Sequence, residues 1–297
     1  MAANTRRARA GAAPVPCATI DTGRSTLRFY LGDCLDVMQA LKPASVSAIV
    51  TSPPYNLGIR YRSYADTLPR EEYLLWTARW LGAARAALED QGSLFLNVGA
   101  KPTDPWTAMD VAQVARQCLE LQNTIHWVKS IAIDRESSGA PLDVSVGHYK
   151  PINSARFVND CHEFIFQFTP GGRTPLDRKA IGVPYQDASN VTRWRGGAGN
   201  VRCRGNTWFI PYDTIQSRDK DRPHPATFPP RVPEQCFKLH GVDRIHTAMD
   251  PFLGLGSSAV AAAQLGIDFI GIEIDPQYLE EAIARVKRCT EKRPAPR

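Results

Sequence analysis

The sequence predicts an α/β fold in which helices cover both faces of one mostly parallel sheet. Three observations point there: short apolar runs alternate with segments of helical periodicity, those runs are continuous as in strands buried on both faces, and a glycine-rich turn joins one of them to a helix.

Leu27–Leu31 is a short strand candidate ending at Gly32-Asp33; the amphipathic stretch Leu35–Leu41 and a second strand at Val46–Thr51 complete a β-α-β unit. Helical spacing runs from Glu71 to Leu88, Gly92 breaks it, and Ser93–Val98 is a buried strand. Met109–Leu121 reads as a helix, and Thr124–Val128 and Phe164–Phe168 as strands. Periodicity fails over 131–160 and again over 169–205, where Gly, Pro, Ser, Asn and Arg dominate, so these are predicted insertions in a single domain spanning 26–291. Order returns with a strand from Ile245 to Asp250-Pro251, a glycine turn, a helix over Ser257–Leu265, a strand over Phe269–Ile274 and a last helix from Pro276 to about Cys289. Residues 1–25, with Arg6, Arg7 and Arg9, are expected to be a disordered basic tail, and 292–297 a short tail.

At 297 residues, 43% of them hydrophobic, the chain can bury one large core. No apolar run reaches the roughly 18 residues that cross a bilayer. The N-terminal stretch lacks the apolar region of a secretory signal, and the seven cysteines are scattered, so reduced thiols, a cytoplasmic setting and no metal site are expected. A formal net charge of +6 permits a polyanionic partner. Arg173, Arg178, Lys179, Arg193, Arg195, Arg202 and Arg204, interleaved with Tyr185 and Trp194, form the strongest candidate for a nucleic-acid surface.

The run Asp250-Pro-Phe-Leu-Gly254-Leu-Gly256-Ser257 passes from strand to helix, so its glycines let a ligand approach the backbone at a helix N-terminus. Glu273 ends the next strand, where a carboxylate can accept ribose hydroxyls. This pattern also fits a dinucleotide site, but only one helix follows Glu273, and a dinucleotide fold needs further strand-helix units. The missing neighbour is then Leu27–Leu31, which would set Asp33 beside Glu273 to bond an adenine amino group; Asp33 reads equally as a helix N-cap.

Thr51-Ser52-Pro53-Pro54-Tyr55-Asn56 follows a buried strand directly. The prolines fix the backbone and hold Ser52 extended, making the Pro53 carbonyl and the Ser52 side chain rigid acceptors with no local partner. Such a pair suits the two hydrogens of a base amino group, freeing its nitrogen lone pair for in-line attack on a methyl, while Tyr55 offers a face for an extruded base.

Together with HEFIFQF at His162–Phe168, GNTWFIP at Gly205–Pro211, HPATFP at His224–Pro229 and GIEID at Gly271–Asp275, these segments resemble the permuted, β-group amino-methylating DNA methyltransferases. The resemblance implies a class I S-adenosylmethionine-dependent methyltransferase fold with a seven-stranded sheet, an inserted target-recognition region and double-stranded DNA as substrate. It adds Thr51, Asp250, Ser257 and Asp275 to the cofactor site, sets His224, Pro225 and Phe228 along the methionine end, and packs Phe252 near the adenosine. The family's catalytic tetrad starts with Asp or Asn in adenine enzymes and with Ser in many cytosine enzymes; Ser52 therefore points to N4 of cytosine, with N6 of adenine as the alternative. A homodimer and a cognate restriction endonuclease are partners consistent with it. Three competing readings are a carbon-5 methyltransferase using Pro16-Cys17, an NAD-dependent oxidoreductase, and a noncatalytic DNA-binding protein; the last two leave the Ser-Pro-Pro-Tyr segment unexplained.

Overall fold

The structure, a computed structural model, describes residues 14–139, 142–147, 154–185, 200–211 and 227–291. Arg193, Arg195, His224 and Pro225 lie outside them, as does Trp194.

The central sheet contains β1 (Ala18–Asp21), β2 (Thr26–Leu31), β3 (Val46–Thr51), β4 (Leu88–Val98), β5 (Glu120–Val128), β6 (His162–Thr169), β7 (Thr207–Phe209), β8 (Thr247–Asp250) and β9 (Asp268–Glu273). Their spatial order is β1-β2-β9-β8-β3-β4-β6-β5-β7. All run parallel except β1 and β6, each antiparallel to its neighbours. The expected neighbour relation holds: the last strand pairs with the first part of the chain, Glu273 opposite Leu31.

Helices α1 (Cys34–Ala40), α2 (Arg70–Ala87) and α3 (Thr107–Ala115) cover one face; α4 (Arg231–His240), α5 (Ser257–Leu265) and α6 (Pro276–Glu291) cover the other. Because successive strand residues point to opposite faces, Ile49 packs with Met38, Trp80 and Leu81, whereas Val50 packs with Phe237, Val260 and Ala282. Both layers are apolar, which is why these strands read as unbroken hydrophobic runs.

Boundaries depart from expectation in three places, two of which enlarge the sheet. The sheet has nine strands where seven were expected. The added strand β1 lies inside the supposed disordered tail: Ala18-Thr-Ile-Asp pairs antiparallel with β2 and buries Ile20 in the core. The other addition, β7, lies just beyond the predicted insertion 169–205 and lines up parallel to β5, Trp208 opposite Trp127. Finally, α3 stops at Ala115 rather than Leu121, because Glu120 and Leu121 already belong to β5. Among the described residues no helix is long and apolar enough to cross a membrane.

Candidate active site

Parallel strands deliver their carboxyl ends to one edge, and that edge carries the site. Thr51 ends β3 and Asp250 ends the adjacent β8; Thr51 Oγ1 donates to Asp250 Oδ1 at 2.7 Å. Ser258 Oγ donates to Asp250 Oδ2 at 2.5 Å, and the Phe252 N–H to Oδ1 at 3.0 Å. Burial pushes the Asp250 carboxyl up to about 6 even though these three donors pull it down. The residue is a buttress that ties the proline-rich segment to the glycine turn.

Beside it, Glu273 holds the turn from below: its Oε2 accepts the Gly254 N–H at 2.8 Å and its Oε1 accepts the Ile274 and Asp275 N–H groups, both at 3.0 Å. A carboxylate has about four acceptor directions, so three backbone bonds leave Glu273 room to take one ribose hydroxyl rather than two. Gly254 and Gly256 have φ of +51° and +75°, which a side chain would resist. Gly256 is required by packing as well: a Cβ there would lie 2.8 Å from Ala282 Cβ of α6.

Together these tips frame a partly open cleft. One end is lined by Gly32, Asp33, Phe252, Gly254, Glu273 and Asp275, the other by Ser52, Pro53, Pro54 and Tyr55. Aromatic rings from the loop after β3 and from α2 form a wall: Tyr61, Tyr64 and Trp76 line the cleft, with Trp76 5.5 Å from Phe252, centroid to centroid. That loop is folded around Asp66, which is 2% exposed and accepts the N–H groups of Asn56, Leu57 and Ile59. Ser63 Oγ then donates to Asp275 Oδ2 at 2.6 Å, closing the loop against the Glu273 end of the cleft.

At the other end, the Ser52 and Tyr55 hydroxyls share a 2.6 Å hydrogen bond, and Tyr73 donates to the Pro54 carbonyl at 3.0 Å. Asn97, near the end of β4, donates through Nδ2 to the Tyr55 hydroxyl (2.6 Å) and to Glu163 Oε2 (2.7 Å). Tyr55 itself donates to that same Oε2 at 3.2 Å, while Lys129 Nζ pairs with Glu163 Oε1 at 3.0 Å. Ser52 is thus not the isolated acceptor expected from its prolines.

One cleft with a carboxylate and a glycine turn at one end and a rigid polar and aromatic pocket at the other, on the carboxyl edge of a mostly parallel sheet, is a geometry that can hold two reactants end to end. The family model described as DNA methylase (N6_N4_Mtase) matches residues 46–284, four fifths of the chain. The chain belongs to this DNA methylase family. It is an amino-methyltransferase of DNA with S-adenosylmethionine as methyl donor.

Among similar proteins, the type II methyltransferase M.Cfr9I of Citrobacter freundii is 26% identical over 278 residues, 87% of each chain. M.ScaI of Streptomyces caespitosus is 25% identical, covering 89% of this chain and 82% of its own. Two solved structures share the fold. The PvuII DNA methyltransferase (cytosine-N4-specific) superposes with a TM-score of 0.60 at 16% identity, over 90% of this chain and 92% of its own. A DNA modification methylase of Thermus thermophilus, complexed with S-adenosyl-L-methionine, does so with 0.57 at 21% identity, over 89% and 95%.

In this methylase the sequence-predicted residues divide into three groups. Asp33, Ser52, Pro53, Pro54, Tyr55, Phe228, Asp250, Phe252, Gly254, Ser257, Glu273 and Asp275 all line the cleft. Thr51 and Gly256 stand behind it in supporting roles. Asp33 serves the bland role as well, since its Oδ1 caps α1 through the Leu35 N–H at 2.8 Å.

Among the described residues, Arg173, Arg178, Lys179, Arg202 and Arg204 do not line the cleft. Because β6 is antiparallel, its His162 end meets Val128 at the active edge, while Thr169 meets Glu120 at the opposite edge. Arg173, Arg178 and Lys179 follow Thr169, and Thr174 Oγ1 donates to the Gly92 carbonyl in the first half of β4, so these cations start from the far edge. Arg202 is exposed on a small ribbon pairing Val183-Pro184 with Val201-Arg202. Arg204 spends its Nε on the Ile181 carbonyl at 2.9 Å.

The alternative nucleophile Cys17 bonds the Phe29 carbonyl and is absent from the cleft lining. Cys34 does line the cleft, but burial, followed by the adjacent Asp33, raises its thiol pKa, the reverse of thiolate activation. Sequence reasoning missed Asn97, Glu163, Lys129, Asp66 and the tyrosines of the loop. The HEFIFQF segment contained Glu163, and its acidic residue next to a buried apolar run was the available signal.

Proposed function

We propose that the protein methylates N4 of cytosine in double-stranded DNA, acting on a base extruded into the Ser52–Tyr55 end of the cleft. The single observation that carries this is the placement of a neutral hydroxyl, Ser52, at the head of the rigid Pro-Pro-Tyr segment in the same cleft as Glu273. The PvuII enzyme, cytosine-N4-specific by its name, supports the same choice of base on the same fold.

The residues suit the donor. Glu273 has an acceptor direction left for a ribose hydroxyl, Phe252 and the tyrosine-lined wall offer apolar faces to an adenine, and Asp33 at the rim can accept from its amino group. When bound, S-adenosylmethionine supplies an electrophilic methyl carried on a sulfonium. The protein's part is then positional. Ser52 Oγ and the Pro53 carbonyl accept the two amino hydrogens and turn them out of the ring plane, so that the nitrogen lone pair points at the methyl. Tyr55, held by Ser52 and Asn97, stacks on the base and replaces the stacking lost on leaving the duplex. With the donor held by Glu273 and the glycine turn, Ser52 and the Pro53 carbonyl would keep the amino nitrogen facing the methyl that the donor supplies, and the proton that nitrogen sheds would pass to water at the open mouth of the cleft.

Incubating the protein with duplex DNA and isotopically methyl-labelled S-adenosylmethionine, then identifying the modified nucleoside by mass after digestion, tests this. Labelled N4-methylcytosine is expected; labelled N6-methyladenine would replace the choice of base while leaving the cleft chemistry in place. Pairing with a restriction endonuclease or with a second copy of the chain belongs to the same proposal, and sedimentation at assay concentration tests the latter.

A further inference from the structure

We propose that Glu163 is a positioning residue that sets the direction of the hydrogen bonds running through Tyr55 and thereby makes Ser52 a pure acceptor toward the target amino group. It rests on the reading that Ser52 receives that group, and holds for either base.

A serine hydroxyl is ambiguous, because it can turn a hydrogen or a lone pair toward the cleft. Only the second orientation binds an amino hydrogen. The Ser52–Tyr55 bond at 2.6 Å can be donated from either side, so the pair alone leaves the choice open. Glu163 closes it. Its carboxylate, paired with Lys129 and only 12% exposed, can only accept, and it takes the Tyr55 proton at 3.2 Å. With that proton committed to Glu163, Tyr55 can only accept from Ser52. The Ser52 hydrogen is therefore directed back into the protein; Asn97 Nδ2, 3.4 Å from Ser52 Oγ, donates to one lone pair, and the other is left for the cleft.

Asn97 reinforces the same polarity. Its Nδ2 reaches both the Tyr55 oxygen and Glu163 Oε2, at 2.6 and 2.7 Å, while its Oδ1 is buried with no hydrogen-bond partner among the described residues. Turned the other way, the amide would set its oxygen against the carboxylate; Glu163 thus fixes this amide too, at the cost of one unsatisfied atom. Gly99 leaves the space these groups need, since a Cβ there would lie 3.1 Å from the Tyr55 ring and 3.2 Å from Glu163 Cγ.

Glu163→Gln tests the idea with little change in volume. Lys129 would draw the new amide oxygen, turning its NH2 toward Tyr55 and Asn97 and reversing the polarity. We expect kcat to fall about ten- to a hundredfold, the value of one charge-assisted hydrogen bond. Affinities for S-adenosylmethionine and DNA should stay within about twofold. Tyr55→Phe, which deletes one oxygen and keeps the ring, should lose a similar factor, and the double variant should be no slower than the worse single one, because both act through one hydroxyl. Wild-type single-turnover rates in either single variant, or losses that multiply, would overturn the proposal. The underlying reading is tested separately: Ser52→Ala at full rate sinks it, whatever Glu163 does.

Discussion

Thr51 and Asp250, 199 positions apart in the chain, are joined by a 2.7 Å hydrogen bond within the core, which locks the tip of β3, where the proline segment starts, to the tip of β8, where the glycine turn starts. The bond favours the ionised carboxylate, whose pKa burial nevertheless raises to about 6. Since that lies above the ordinary aspartate value, the folded protein binds more protons than the unfolded chain between roughly pH 4 and 6, and stability falls as pH rises through this window. Thr51→Val removes one of the donors and extends the loss to higher pH. We expect about 1–3 kcal/mol of destabilisation near pH 8, shrinking toward pH 5, read from denaturant melts at the two pH values. An equal deficit at both would show that the bond does not discriminate between the charged and neutral forms.

Glu273→Ala removes the acceptor of three backbone N–H groups and the candidate partner of the ribose. Calorimetric titration should show S-adenosylmethionine binding weakened at least about tenfold, the scale of one hydrogen bond to a charged group. Unchanged affinity would move the nucleoside away from this carboxylate.

Tyr55→Ala deletes the stacking face and the hydroxyl that holds Ser52, but leaves the Glu273 end of the cleft intact. Cofactor affinity should persist while turnover on duplex DNA falls by two orders of magnitude or more, from about 1–3 kcal/mol of base stacking and the lost orientation of Ser52. Turnover within a factor of two of wild type would refute the stacking role.

The contrast between what the chain revealed and what it hid follows from strand direction. The adjacency of β2 and β9 was legible because Gly32-Asp33 and Glu273 each end a short apolar run and suit opposite parts of one nucleoside; the register sets Glu273 opposite Leu31. The proline segment and the glycine turn were legible because each breaks a strong local pattern at a strand end. Asn97 and Glu163 were not, since what brings them together is the antiparallel pairing of Asn97 with Ile165, a register that no local spacing encodes. The same reversal is invisible to a charge reading: composition marks Arg173, Arg178 and Lys179 as a basic group, and β6 carries the chain to the far edge before they occur. Strand β1 was hidden by the adjoining Arg- and Ala-rich residues, although Ile20 and Thr19 are ordinary strand formers.

His240 gives a second pH dependence of opposite sign. It ends α4, is 3% exposed, and its Nδ1 lies 3.0 Å from Ser93 Oγ in β4. Burial, assisted by Arg244, lowers its pKa to about 4. The unfolded chain therefore binds this proton before the folded one does, and stability is lost as pH falls from about 6.5 toward 4, by an amount of order 3 kcal/mol. Replacing His240 with Gln should flatten that part of the melting-temperature profile; a profile of unaltered slope would assign the acid loss to other groups.

The arrangement of basic residues predicts which of them meet DNA. A protein that neutralises phosphates releases counterions, so the slope of log affinity against log salt counts the contacts. Replacing Arg173, Arg178 and Lys179 together by alanine should leave that slope unchanged, since Thr169, just before them, is at the edge opposite the cleft. For Arg193 and Arg195, placed by sequence alone in the second insertion, we propose direct phosphate contact, and their joint replacement should reduce the slope by up to about two units. A slope that falls for the first set and holds for the second would place the duplex across the far edge of the sheet and overturn this assignment.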